Sequence, residues 1–181
     1  MPRHIALLRA VNVKPRWLKM ERARAALSEA GFTDVESHIQ SGNLLVGSPL
    51  RSGTKVAAEI ERALAAEAGF EVPTMVRSPR EMRALASAVD EIPPLLSADG
   101  RRYVMFAKEA ITPAGAAAFA GWDVDGERLA MVDDRHVLLE LTVSAHASRM
   151  TNARAERLGG GAFTTRDLKV VRTLSERWGQ P

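Results

Sequence analysis

The sequence predicts an α+β chain made of two ferredoxin-like (βαββαβ-type) halves, each an antiparallel sheet with helices packed on one face. Three observations predict it. Short apolar runs of strand length alternate with stretches of helical period through the first 77 residues. A tight turn at Ser41-Gly42 follows the first helical stretch, which gives the order β-α-β-β-α-β. A Pro-containing break over 89–101 then separates this unit from a second run of similar order.

Residues 4–8 and 11–13 read as a buried first strand interrupted at Arg9. Met20, Ala23, Leu27 and Ala30 share one face of a helix over 19–30, and Gly31 stands where a helix stops. Val35 to Gln40 and Asn43 to Val46 form a hairpin across Ser41-Gly42. Val56, Ile60 and Leu64 carry a second helix over 54–68 that ends at Gly69, and Val72 to Arg77 is another strand. Ser78-Pro79-Arg80-Glu81 is a capping box with Pro at the first helical position, so a helix is expected over 79–88. In the second half, Arg102 to Ala107 is a strand and 113–120 a helix opened by Thr112-Pro113. Leu129 to Val132 and His136 to Leu141 are strands joined across Asp133-Asp134-Arg135. Residues 151–158 and 166–177 read as helices, with Gly159-Gly160-Gly161 as a hinge between them, giving β-α-β-β-α-α. The expected divisions are an N-terminal half over 1–88, a connection over 89–101 and a C-terminal half over 102–181.

The 181 residues include no cysteine, which excludes disulfides, thiolate nucleophiles and Cys-type metal sites. The apolar runs are too short to span a bilayer, and Met1-Pro2-Arg3-His4 leads straight into strand-like sequence without a signal-peptide pattern. A cytoplasmic location and no membrane partner are therefore expected. The net charge is +3, but it is unevenly spread. Residues 1–30 hold seven Lys/Arg against Glu21 and Glu29, and residues 145–181 hold seven against Glu156, Asp167 and Glu176. Basic ends around an acidic middle suit an anion-binding face if they meet, or solvated helix faces if they do not.

Several segments together resemble the Domain of Unknown Function 1697 family. They are Ile5-Ala6-Leu7-Leu8-Arg9-Ala10-Val11-Asn12-Val13, Lys19-Met20, Ala30-Gly31-Phe32-Thr33-Asp34-Val35 and Ile39-Gln40-Ser41-Gly42-Asn43. Thr151-Asn152 and Thr164-Thr165-Arg166 match that family's C-terminal pattern. The resemblance implies a bacterial α/β protein with paired ferredoxin-like halves, and it carries no established activity. After the first strand the family reads Arg-Gly-(Ile/Val)-Asn-Val-Gly-Gly; this chain has Ala10, then Lys14-Pro15, which stiffens a loop where the family keeps glycine. Asp167 stands where the family's last motif has Asn.

The first candidate ligand-binding site is the loop after the first strand, with Arg9, Asn12, Lys14, Arg16 and Lys19 suited to a phosphate or carboxylate. Trp17 beside them can stack on a flat group. A structural role competes: Asn12 fixing its own turn and Trp17 anchoring the loop. The second is Thr164-Thr165-Arg166, read as the start of the last helix, where open N–H groups favour an anion, joined by Asn152. Capping by Thr165 competes there. Ser41 and Asn43 complete the candidate set, although Ser41 lacks the setting of a serine nucleophile and reads more simply as a turn residue.

His4, His38, His136 and His146 have no metal-ligand spacing, so neither a metal nor a cofactor is expected. Asp123-Val124-Asp125-Gly126-Glu127 reads as an acidic turn.

Three functions compete. The leading one is a binding module for a phosphate-bearing ligand, nucleic acid or nucleotide. Sheet-type RNA recognition is disfavoured because only Tyr103 and Phe106 offer strand aromatics. The alternatives are a small enzyme on an anionic metabolite, using Asp133, Asp134 or Glu140 as acid or base, and an interaction module that forms a homodimer.

Overall fold

The computed structural model describes residues 1–180, as six helices and nine strands in two antiparallel sheets. It divides into two compact units: Met1–Arg83 with the chain from Leu174 onward, and Ala84–Thr173.

In the first unit, β1 (Arg3–Leu8), α1 (Met20–Glu29), β2 (Thr33–His38), β3 (Asn43–Gly47), α2 (Gly53–Ala68) and β4 (Thr74–Arg77) follow the expected order. The sheet order is β2-β3-β1-β4, the split βαββαβ arrangement. The period-2 alternation of β1 sends Ala6 and Leu8 to the helix-covered face. There they meet Leu44, Val46 and Val76 from the neighbouring strands, and Met20, Leu27, Val56, Ile60 and Leu64 from α1 and α2. Ser52 caps α2 by accepting the Lys55 N–H, and Gly69 ends it in the left-handed conformation (φ 76°). The capping box of α3 (Pro79–Glu91) forms as read: Ser78 Oγ accepts the Glu81 N–H at 3.2 Å, and the Glu81 carboxylate accepts the Ser78 N–H at 2.7 Å. The helix runs three residues beyond 88.

The second unit contains β5 (Arg101–Ala107), α4 (Pro113–Ala120), β6 (Asp123–Val124), β7 (Glu127–Asp133), β8 (His136–Leu141), α5 (Asn152–Gly159) and β9 (Phe163–Asp167). The helix α6 (Leu168–Trp178) follows. Its sheet order, β6-β7-β8-β5-β9, places β7, β8, β5 and β9 as in the first sheet, with β6 added at one edge. The second half is thus a fuller copy of the first than the sequence suggested.

The differences from expectation are local. Thr164-Thr165-Arg166 is strand, not the start of a helix: Phe106 pairs with Thr164, Met105 with Thr165 and Val104 with Arg166. Their backbone groups belong to the ladder, and α6 begins only at Leu168. Gly160 (φ 89°) caps α5 and leads into β9 rather than hinging two helices. Residues 11–13 are loop, because Ala10 and Asn12 sit at φ 55° and 58°, which no strand accommodates. The first hairpin pairs His38 with Asn43, so its loop is the four residues 39–42. The acidic turn is a two-residue Asp125-Gly126 hairpin between β6 and β7.

Two buried carboxylates organise the irregular segments of this unit. Glu140, fully buried, accepts the N–H groups of Leu95, Leu96 and Ser97 at 3.0, 2.7 and 3.2 Å, and Arg102 Nε–H at 2.9 Å. Arg102 in turn donates to the carbonyls of Ile92 and Pro93 at 2.9 and 2.6 Å. Glu127 accepts the Trp122 indole N–H at 3.1 Å and the N–H groups of Arg149 and Met150, which pins the segment after β8.

Candidate functional site

The loop between β1 and α1 is closed from both ends. Leu8 N–H donates to Gly42 O and Arg9 N–H to Pro73 O, both at 2.8 Å. Asn12 then bridges two loops. Its Nδ2–H donates to Gln40 O at 2.6 Å, while its Oδ1 accepts the Leu18 N–H at 3.1 Å. Gln40 Oε1 accepts the Met20 N–H at 3.4 Å. Gly42 (φ 79°) sits so close beneath that a Cβ there would lie 2.7 Å from Val11 Cγ2 and 2.8 Å from Leu8 Cβ. Asn43, fully buried, donates to His38 O at 3.1 Å and Ser41 Oγ at 2.9 Å, closing the 39–42 loop.

The hydrogen bonds named for Asn12, Ser41 and Asn43 are structural ones, and they lock the loop after β1 and the 39–42 loop into one unit. Ala10 occupies the left-handed region, where glycine carries no penalty, which explains the family's preference there.

What this scaffold presents to water is different. Lys14, Arg16, Trp17 and Lys19 are exposed; Arg16 lies 5.7 Å from the centre of the Phe70 ring. Arg9 is only half-buried. Four large hydrophobic side chains are exposed among the described residues, and three of them, Val13 at 53%, Trp17 at 61% and Ile39 at 51%, lie on the two loops that Asn12 ties together. Trp17, Lys19 and Arg22 line a depression of about 280 Å³ against Glu67 and Ala68 at the end of α2, and Arg22 pairs with Glu67.

The C-terminal candidates are split by the pleat of β9. Thr165 and Asn152 meet, with Thr165 Oγ–H donating to Asn152 Oδ1 at 2.7 Å. Arg166 is on the opposite face, buried, and donates to Thr164 Oγ at 2.8 Å and to Thr165 O at 2.9 Å. Burial pulls its pKa down to about 10. Arg101, Arg102, Lys169 and Arg172 line another depression, of about 320 Å³. Three of these cations already hold carboxylates: Arg101 that of Asp167, Arg102 that of Glu140 and Arg172 that of Asp90.

The acid–base candidates are placed for other tasks. Glu140 is enclosed by its four donors, and Asp133 holds His136 Nδ1 at 2.7 Å. No group of three or more His, Asp or Glu is arranged to hold a metal among the described residues. No helix among them is long and apolar enough to cross a membrane.

Fold and loops together define a protein of two βαββαβ units in which one clasped loop pair presents a basic, partly apolar surface. The chain belongs to the family described as protein of unknown function (DUF1697), whose model matches residues 1–136. Its fold is shared by a solved structure, that of the conserved bacterial protein SP0830 from Streptococcus pneumoniae. The TM-score is 0.75 and the identity 21%, over 99% of each chain. No curated protein matches.

Proposed function

We propose that the protein is a binding module for a phosphate-bearing ligand, a nucleotide or single-stranded nucleic acid, docked on the loop between β1 and α1. The observation that carries this reading is the exposed Trp17 indole among Lys14, Arg16 and Lys19, on a loop whose ends Asn12 holds fixed. Cations supply the sequence-independent attraction to phosphate, and an exposed indole offers a base its stacking surface, worth about 1–3 kcal/mol per base. A fixed loop lowers the ordering cost of binding.

The test is a Trp fluorescence titration with a mixed-sequence oligonucleotide and with free nucleotides, at low and moderate salt. Trp178 is buried and Trp122 half-buried, so the exposed Trp17 dominates the response. Saturable, salt-sensitive quenching is expected, with the salt slope falling by about 2 in the Lys14→Ala/Lys19→Ala double variant. Quenching that survives Trp17→Phe unchanged, or no binding to either probe, overturns the reading.

A further inference from the structure

A second concavity lies wholly within the Ala84–Thr173 unit, and its chemistry differs from that of the basic loop. It measures about 290 Å³ and opens on the helix-covered face of the five-stranded sheet. The pairing of Tyr103 with both Leu139 and Asp167, and of Met105 with Thr165, puts the sheet residues that line it on one face. The segment pinned by Glu127 and the first residues of α5 form its other wall.

Its floor is apolar, made by Leu139, Leu141 and Met150. Its rim is polar, and uncharged but for Asp167. Thr165 uses its hydroxyl proton on Asn152 Oδ1, so the Thr165 oxygen remains an acceptor and the Asn152 Nδ2–H₂ group has no acceptor among the described residues. No buried side-chain nitrogen or oxygen lacks a partner among the described residues, so that amide group reaches solvent, on a residue that lines the cavity. The Tyr103 phenol makes no hydrogen bond among the described residues, and Ser148 Oγ, which accepts the Met150 N–H at 3.1 Å, still has its proton to give.

The one charged group in the lining is Asp167, and it is matched: Oδ2 accepts from Arg101 at 3.3 Å and Oδ1 from the Lys169 N–H at 2.9 Å. Arg166 is turned away by the pleat of β9 and supplies no cation here. Arg101 borders the cavity, 5.7 Å from the Tyr103 ring centre, but it is paired with Asp167, so an anion entering would meet a carboxylate and a cation already matched to it. A fully apolar ligand would strip water from the open Asn152 amide without replacing it.

We infer that this cavity binds a small neutral polyhydroxylated ring, a monosaccharide or cyclic polyol, with its C–H face on the leucine floor and its hydroxyls on Asn152, Thr165 and Tyr103. Mixed donors and acceptors around an apolar floor match a molecule that carries both along its edge and C–H groups on its faces. This site is separate from the basic loop, so neither reading depends on the other.

The experiment is a ¹H–¹⁵N correlation titration of the full chain with glucose, ribose, myo-inositol and inorganic phosphate, each at millimolar concentration. At least one of the three polyols is expected to give saturable shifts at Tyr103, Leu139, Met150 to Asn152 and Thr165, and phosphate none there. Thr165→Val keeps the shape of the strand residue and is expected to weaken binding about tenfold. Tyr103→Phe gives the same reading if Thr165→Val disturbs the spectrum as a whole. Three polyols without saturable shifts, equal binding by both variants, or phosphate shifting the same residues would each overturn the inference.

Discussion

Replacing Glu140 by Gln keeps the side chain's shape and removes its charge, and the structure fixes what that costs. Each oxygen of the native carboxylate accepts two donors: Oε1 those of Leu96 and Ser97, Oε2 those of Leu95 and Arg102. Whichever oxygen becomes an amide nitrogen, two hydrogen bonds are lost and two donors face a third. An orphaned buried donor costs about 1–3 kcal/mol. Arg102 keeps the Ile92 and Pro93 carbonyls and is 15% exposed, which places its share at the low end. The expected loss is about 3 kcal/mol, within the range for breaking one side of a buried ion pair.

Urea unfolding followed by circular dichroism at pH 7 should show a lower midpoint with an unchanged slope. Acid should close the gap. Burial alone would raise the carboxyl's pKa, but the N–H groups of Leu95, Leu96 and Ser97 together with Arg102 outweigh it and hold the carboxyl below its ordinary value of 4.5. Its stabilising effect is therefore complete above that value and disappears as the pH falls through the lower folded-state value. A loss under about 1 kcal/mol at neutral pH, or a gap that stays constant into acid while both proteins remain folded, would refute the reasoning.

Gly42→Ala forces a Cβ to within 2.8 Å of Val11 and Leu8 at a left-handed residue. Strain and crowding together should cost about 3 kcal/mol in urea unfolding, and a loss below 1 kcal/mol would mean that β1 and the loop yield readily. Ala10→Gly should act in the opposite direction. Relief of the left-handed penalty, less glycine's extra unfolded-state entropy, gives a gain of about 1 kcal/mol; a lower thermal midpoint would contradict the account of that position.

The first unit was legible because its signals are strong and local: Gly69 stops α2, Ser78 to Glu81 caps α3, and Ile5 to Leu8 is an unbroken apolar run of strand length. The last strand was not. Phe163-Thr164-Thr165-Arg166-Asp167 has one apolar residue, and Thr-Thr-Arg-Asp looks like a helix entrance. It becomes a strand because β5 supplies a partner from about 60 residues away. Val11-Asn12-Val13 failed for the converse reason: its alternation imitates a strand, but a bond to Gln40, 28 residues on, and one to Leu18 hold Asn12 in a conformation no ladder accepts. At the sites, composition identified the exposed cations and Trp17. It could not see that the pleat would separate Arg166 from Thr165, because that depends on the strand assignment it missed.

Asn12 fixes the two ends of its loop and leaves the middle alone, so residues 13–17 form an exchangeable cassette. Sequence can change there, as Lys14-Pro15 in place of a glycine pair illustrates, while the clasp to Gln40 and Leu18 continues to set where the cassette sits. Under the binding proposed above, ligand preference would be set by the cassette and its position by the clasp. The same division makes this loop the natural place to graft a new specificity onto the chain.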